Sequence, residues 1–395
     1  AVSMVMQQMS GLQTDYYRDY NCDPIDVNTN GRWTAMYGTG GLIDMNMTQK
    51  VATDQEKYVL LGISQMWEAL IFSMAADIWG DIPYSQAASS DFAEPKFDSQ
   101  KEVHDSILDL IDSAIVNFDK GQVYTMPTDF DFTFNADIEK WKKAAYTLKS
   151  RIYLNWAEVD GENYVKALDA AEQGIMDQSG LGDWKALHGA AISERNVWFQ
   201  FFLSNPDYMG AGKLLVDMLN QDGDGRLEVY FLANGTTDIV GVSPGDSLSN
   251  ASMLNVVGHF GMSWKPEIVS WYENRFIMAE CHFKLGNEQI ALEILNEALD
   301  GIEQRWVSSG YVNISIPRYS NISGNILLEN IMNEKYKALF LNIQSWSDWR
   351  RTGYPKFIDA SGNSTECGGE EFGEGVPRRL LYPEKEKSTN PNCPQ

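Results

Sequence analysis

Asp77-Ile78-Trp79-Gly80-Asp81-Ile82-Pro83-Tyr84 is the point at which a long helix stops. Upstream, Val59, Ile63, Trp67, Leu70, Met74 and Ile78 recur at steps of three and four, one apolar helical face about five turns long. Gly80 suits a left-handed cap, and Pro83 cannot continue the helix. An aromatic, acidic and proline-stiffened turn of this kind gives the chain one exit path.

The same period recurs outward from this turn. Val103, Ile107, Leu110, Ala114 and Phe118 form one face; Trp141, Ala145, Leu148, Ile152 and Trp156 form the next. Tyr164, Leu168, Ala171 and Ile175 follow. Later come Val269, Tyr272, Phe276, Ala279 and Phe283; then Ala291, Leu295, Ala298 and Ile302; then Leu328, Met332, Tyr336, Leu339, Ile343 and Trp346. The pattern Ala167-Leu168, Ala171, Gly174-Ile175 is echoed by Ala291-Leu292, Leu295, Ala298-Leu299, with a looser copy at Ser106-Ile107, Leu110, Ser113-Ala114. Small residues at such spacings let paired helices approach closely, the packing logic of tetratricopeptide repeats. Long irregular stretches lie between the hairpins, near 85–100, 120–137, 180–210, 222–265, 308–324 and 350–395. They predict a loop-rich layer interleaved with the helical scaffold, and so a single domain over 1–395.

Composition narrows the function. The 395 residues carry 31 basic and 55 acidic side chains, a net charge of -24, so nucleic acid and anionic membrane surfaces are poor partners. Hydrophobic residues at 44% can fill a large core. The 12 tryptophans and 18 tyrosines supply packing anchors or flat ligand platforms. No run of about 18 apolar residues predicts a membrane span. Cys22, Cys281, Cys367 and Cys393 form no metal-ligand spacing with the four histidines, so neither a metal nor a cofactor is expected. Cys281 reads as a small core residue. Cys367 and Cys393 sit in loop-like sequence, and a disulfide between them is expected in an oxidising compartment.

Motifs that carry chemistry are few. Gln221-Asp222-Gly223-Asp224-Gly225-Arg226-Leu227-Glu228 resembles part of a calcium loop, but Phe231 stands where a bidentate Glu is needed, so a plain turn is favoured. Asp77 and Asp81 are the most tempting carboxylate pair for glycoside hydrolysis; a capping role for Asp81 is favoured over it. No phosphate loop, nucleophile elbow or dinucleotide fingerprint occurs. By position, Trp67, Trp141, Trp156 and Trp346 are assigned to core faces of helices. Trp33, Trp79, Trp184, Trp198 and Trp264 fall in or beside loops.

Taken together, these stretches resemble the SusD/RagB family of bacterial surface lipoproteins, more narrowly its SusD-like second subgroup. Asp77 to Tyr84 is similar to the family's Trp/Tyr-Gly-Asp-Ile/Val-Pro-Tyr turn. Trp141 to Ala157 resembles its helix with Ala-Leu-Lys-Ala-Arg-Leu-Tyr-Leu. Glu334-Lys335, Ala338-Leu339, Asp348, Arg350-Arg351-Thr352-Gly353 and Pro355 resemble its late signature, and Arg378-Arg379, Tyr382-Pro383, Glu386 and Asn390 the segment that follows. Two departures stand out. The lipid-bearing N-terminal Cys is absent, and Gly223-Asp224-Gly225-Arg226-Leu227 replaces the family's frequent Asp-Pro-Arg-Leu.

The resemblance implies a mainly α fold of tetratricopeptide-like hairpins with a loop-rich ligand face. It also implies attachment to the outer face of an outer membrane, through a lipid anchor not carried here. The partner it implies is a SusC-like TonB-dependent transporter, and the task is capture of oligosaccharides or polysaccharides, sometimes peptides, without catalytic residues. A helical glycoside hydrolase, a peptide-binding member of the same family and a protein-binding scaffold are the alternatives. For ligand contacts the expected stacking or lining groups are Trp33, Tyr37, Phe92, Trp184, Phe260 and Trp264, with Arg32, Asn30 and Asp91 as hydrogen-bonding partners.

Overall fold

The computed structural model describes residues 2–13, 29–38, 40–121, 131–235, 237–244, 246, 250–312, 314–358, 364–365 and 378–394. The chain divides into two compact units. One comprises Ala1–Asn21 and Tyr153–Pro377, the other Cys22–Ile152 and Arg378–Gln395.

In the second of these, the helix Tyr58–Trp79 packs along Gln100–Lys120. By length and composition the first could cross a membrane, but 78% of its most apolar window is buried, which marks it as a core helix. The two helices meet closely because residue 62 is glycine: a Cβ there would lie 2.7 Å from the Phe118 ring. Gln100–Lys120 starts with a reciprocal capping box between Ser99 and Glu102.

The turn that decides the fold is tied on every side. Gly80 takes φ +87°. Ile82 and Asp98 exchange backbone hydrogen bonds of 3.0 Å. The Asp98 carboxylate accepts from the Tyr84 and Ser85 amides and from the Ser85 hydroxyl, and the Asp81 carboxylate accepts from the Gln100 amide at 2.9 Å. The late segment straps onto the same turn: Leu380 donates to the Ile78 carbonyl, Trp79 Nε1 to Leu381, and the Tyr382 hydroxyl to the Asp81 carbonyl. That is why residues 378–394 belong with this unit.

The other unit holds the helical hairpins. Trp271–Lys284 packs against Glu288–Ser308, Glu162–Gln173 and Gly324–Ala338. Ala167, Ala171, Ala279, Ala291 and Ala298 are fully buried at these contacts, as their spacing predicts. Gly286, at φ +84°, makes the turn between the first pair. Buried charges lock the hairpins. Arg351 on Gln344–Thr352 pairs with Glu280 on Trp271–Lys284 and with Asp348, which also takes Lys335 on Gly324–Ala338. Lys335, Asp348 and Arg351 of the late motif thus belong to a buried ionic network with Glu280.

The strands are short two-stranded antiparallel pairs: Met9–Gly11 with Met209–Ala211, Trp184–Lys185 with Glu267–Val269, Phe231–Leu232 with Met253–Leu254, and Phe357–Ile358 with Ser364–Thr365. The calcium-like stretch is an ion-pair turn. Asp222 binds Lys337 at 2.8 Å, and Asp224 clamps the fully buried Arg226, which also pairs with Glu334. Asp222 and Asp224 are thus neutralised by the Lys337 and Arg226 side chains. Cys281 is fully buried, and Cys393 is a buried free thiol; its expected partner, Cys367, lies outside the described residues.

Candidate functional site

A cleft of about 660 Å³ opens within the hairpin unit. One wall is the strand pair, which presents Lys185 and Glu267. A second is the C-terminal half of Glu288–Ser308, with Gly301, Gln304, Arg305 and Trp306; Tyr272 comes from the start of Trp271–Lys284. Tyr230, stacked on Phe340 at 4.6 Å, and His259 complete the lining with the 178–181 loop.

One carboxylate sets these walls. Asp183 has no exposed side-chain surface; it accepts from the Trp271 amide at 2.8 Å and from Arg305 Nη1 at 2.7 Å. Arg305 Nε then donates to the Gln178 carbonyl at 2.7 Å, and its guanidinium lies over the Trp271 and Tyr272 rings. Gly301 lets Trp271 pack flush against the helix, since a Cβ there would lie 2.2 Å from its ring.

Burial, helped by Lys185, pushes the His259 imidazole down to about 4, so it stays neutral at neutral pH and acts as a hydrogen-bonding aromatic. Burial also raises the Glu267 carboxyl, and Lys185 at 3.5 Å only partly offsets this. The site therefore combines aromatic faces, amides, hydroxyls, the Arg305 guanidinium and the Lys185–Glu267 ion pair. Such a surface can stack on the C–H face of a sugar and bond its hydroxyls. Among the described residues, no group of three or more His, Cys, Asp or Glu could hold a metal ion.

The residues named from sequence fall in both units. Asn30, Trp33 and Tyr37 line a smaller cleft of about 400 Å³ in the other unit, beside Pro83, Pro95 and Glu386. Two of its polar handles are already used: Trp33 Nε1 donates to Glu386 at 3.1 Å and the Tyr37 hydroxyl to the Pro83 carbonyl at 2.7 Å. Trp33 is also packed edge-on against Trp79 and Tyr382. Arg32, Asp91 and Phe92 are exposed.

In the hairpin unit, Trp184 is fully buried and Phe260 nearly so, at 2% exposure, which leaves both to pack the core rather than face a ligand. Trp264 is half-buried and borders the cleft through His259, whose ring lies 5.8 Å from it and 4.4 Å from Trp306. Sequence reading missed Tyr272, Arg305 and Trp306, because all three sit on helices whose periods read as core. Trp306, in the last turn before Ser309-Gly310, carried the only signal: an aromatic at a helix end beside a loop. Asp77 and Asp81 are structural. Asp77 lies 3.6 Å from the buried His104, and Asp81 accepts from the Gln100 amide.

Helical hairpins with short strand pairs and long packed loops define a SusD-like fold. The chain belongs to that family: residues 1–383 match the SusD-like family described as starch-binding and associating with outer membrane. Its fold is similar to that of a chitin-binding protein, with TM-score 0.81 and 22% identity over 98% of this chain and 88% of that one. It is also similar to a chitin-binding SusD homologue from Flavobacterium johnsoniae, with TM-score 0.80 and 20% identity over 99% and 88%. A SusD/RagB family protein from Bacteroides thetaiotaomicron aligns with TM-score 0.79 and 19% identity over 99% and 89%. A search of curated proteins finds no match.

Proposed function

We propose that this protein captures oligosaccharides or polysaccharides at the outer face of an outer membrane, held by a lipid anchor, and delivers them to a SusC-like TonB-dependent transporter. The observation that carries this reading is the aromatic and amide-lined cleft built around Tyr272, Arg305 and Trp306. Family membership supports the membrane association. We also read the whole chain as one functional module, since one family match spans residues of both units. The protein acts by binding, not by turnover: Asp183 is fully buried against Arg305, so it cannot pair with Glu267 across a glycosidic bond. Of the residues named from sequence, Trp264 remains a proposed contact at the cleft margin, and Phe92, Asp91 and Arg32, each exposed, remain proposed accessory contacts.

Two similar structures bear chitin-binding names, so chitin oligosaccharides are the first ligands to test, beside starch oligosaccharides and peptides. Isothermal titration calorimetry is expected to detect a glycan, and Trp306→Ala to weaken it by about 1–2 kcal/mol with the melting temperature preserved. Binding of peptides but no glycan, or steady release of reducing ends, overturns the reading.

A further inference from the structure

The helix Val197–Ser204 reads Val-Trp-Phe-Gln-Phe-Phe-Leu-Ser, yet it buries only Phe202. Val197 is 65% and Leu203 64% exposed, and Trp198, Phe199 and Phe201 are half-buried. So much apolar surface left facing solvent marks a contact surface. The helix is firmly held. Asn196, fully buried, accepts from the Trp198 and Phe199 amides and donates to the Trp264 carbonyl at 3.2 Å; its own amide donates to the Met262 carbonyl at 2.8 Å. Trp198 stacks on Phe202 at 6.4 Å. The helix therefore stands beside Trp264, which continues through His259 to Trp306 and the cleft.

We infer that this helix is a second stacking surface and that, with the cleft, it forms one aromatic track for a polysaccharide chain several sugar units long. This rests on the glycan reading of the cleft. Continuity with the cleft selects the occupant, and so does charge. No residue of the helix is ionisable, whereas the chain as a whole carries -24. A second copy or an anionic lipid would bring like charge up to a molecule of net charge -24. A neutral sugar polymer brings none, and its apolar ring faces match Trp198, Phe199 and Phe201, while exposed Gln200, whose Nε2 donates to the Arg195 carbonyl at 2.6 Å, turns its Oε1 to sugar hydroxyls.

The test is calorimetry with chitin and starch oligosaccharides from disaccharide to hexasaccharide, on the wild type, on Trp198→Ala and on the exposed pair Val197→Ser/Leu203→Ser, each checked for an unchanged melting temperature. Wild-type affinity should rise with length. Trp198→Ala should lose about tenfold for the hexasaccharide, one ring's worth of stacking, and the Val197/Leu203 variant about threefold through lost apolar contact, with neither losing anything for the disaccharide. Should Trp198→Ala not fold, the Val197/Leu203 variant decides alone. Length-independent affinity, or equal losses on short and long ligands, overturns the track while leaving the cleft as a glycan site. No glycan binding by the wild type overturns both. A sedimentation-detected dimer that the variants abolish identifies the surface as a self-contact and overturns the track.

Discussion

Replacing Arg351 with methionine tests whether the late signature Asp348-Arg351 holds the hairpins by buried charge. Arg351 is 4% exposed, Glu280 has no exposure and Asp348 5%. The guanidinium makes two hydrogen bonds to Glu280 and one to Asp348, and Asp348 also holds Lys335 at 2.9 Å. Methionine fills similar volume but leaves the Glu280 carboxylate uncompensated in a dry interior, at a cost of about 3–5 kcal/mol. In a unit of this size each kcal/mol moves Tm by roughly 2–4 °C, so a fall of roughly 6–20 °C is expected in scanning calorimetry. Arg351→Met combined with Glu280→Met removes both charges, leaves Asp348 paired with Lys335, and should recover about 2 kcal/mol or more in urea unfolding. A single variant within about 1 kcal/mol of wild type, or a double variant worse than the single, refutes the reasoning.

Acid should destabilise the protein. Burial alone would raise the Glu334 carboxyl, but Arg226 and Lys337 outweigh it and hold it at about 2 against 4.5, so its contribution is present above about 4.5 and lost as pH falls toward 2. His259, at about 4 folded and 6.5 unfolded, acts in the same direction between those values, because the unfolded state takes up the proton first. Urea midpoints should therefore fall from pH 7 to pH 4, and His259→Gln should flatten the upper part of that slope; midpoints that rise on acidification contradict this. Gly301→Ala would gain up to about 1 kcal/mol of helix propensity, but its Cβ meets the buried Trp271 ring at 2.2 Å, and overpacking of about 1–3 kcal/mol should win; a raised Tm would show that Trp271 yields. Burial and Glu280 push the Cys281 thiol up, so it should resist thiol reagents at pH 8 until the chain is unfolded.

Helix placement was legible in the sequence because burial on one face imposes a period that survives whatever packs against it. The helix over Val59 to Ile78, the alanines at 167, 171, 279, 291 and 298, and the stop at Gly80 and Pro83 appear in the structure where their spacing puts them. Trp67, Met74 and Ile78 of that first face are only half-buried, however, while Gln65, Glu68 and Ser73 of the same helix are buried. The family could be read as well, because its motifs are contiguous. Sorting of the tryptophans was not legible. Trp33, Trp79 and Trp184, placed in loops by sequence, are among the most buried, while Trp67 and Trp156, placed on core faces, are half-buried. A loop position says nothing about which distant segment will cover it: Trp33 is closed over by Glu386 and Tyr382, more than three hundred residues away. The cleft likewise depends on Asp183 meeting Trp271 and Arg305, contacts that span 88 and 122 residues. Local propensity and period are written residue by residue, whereas a binding surface is a coincidence of remote segments, and only the folded chain decides which of them meet.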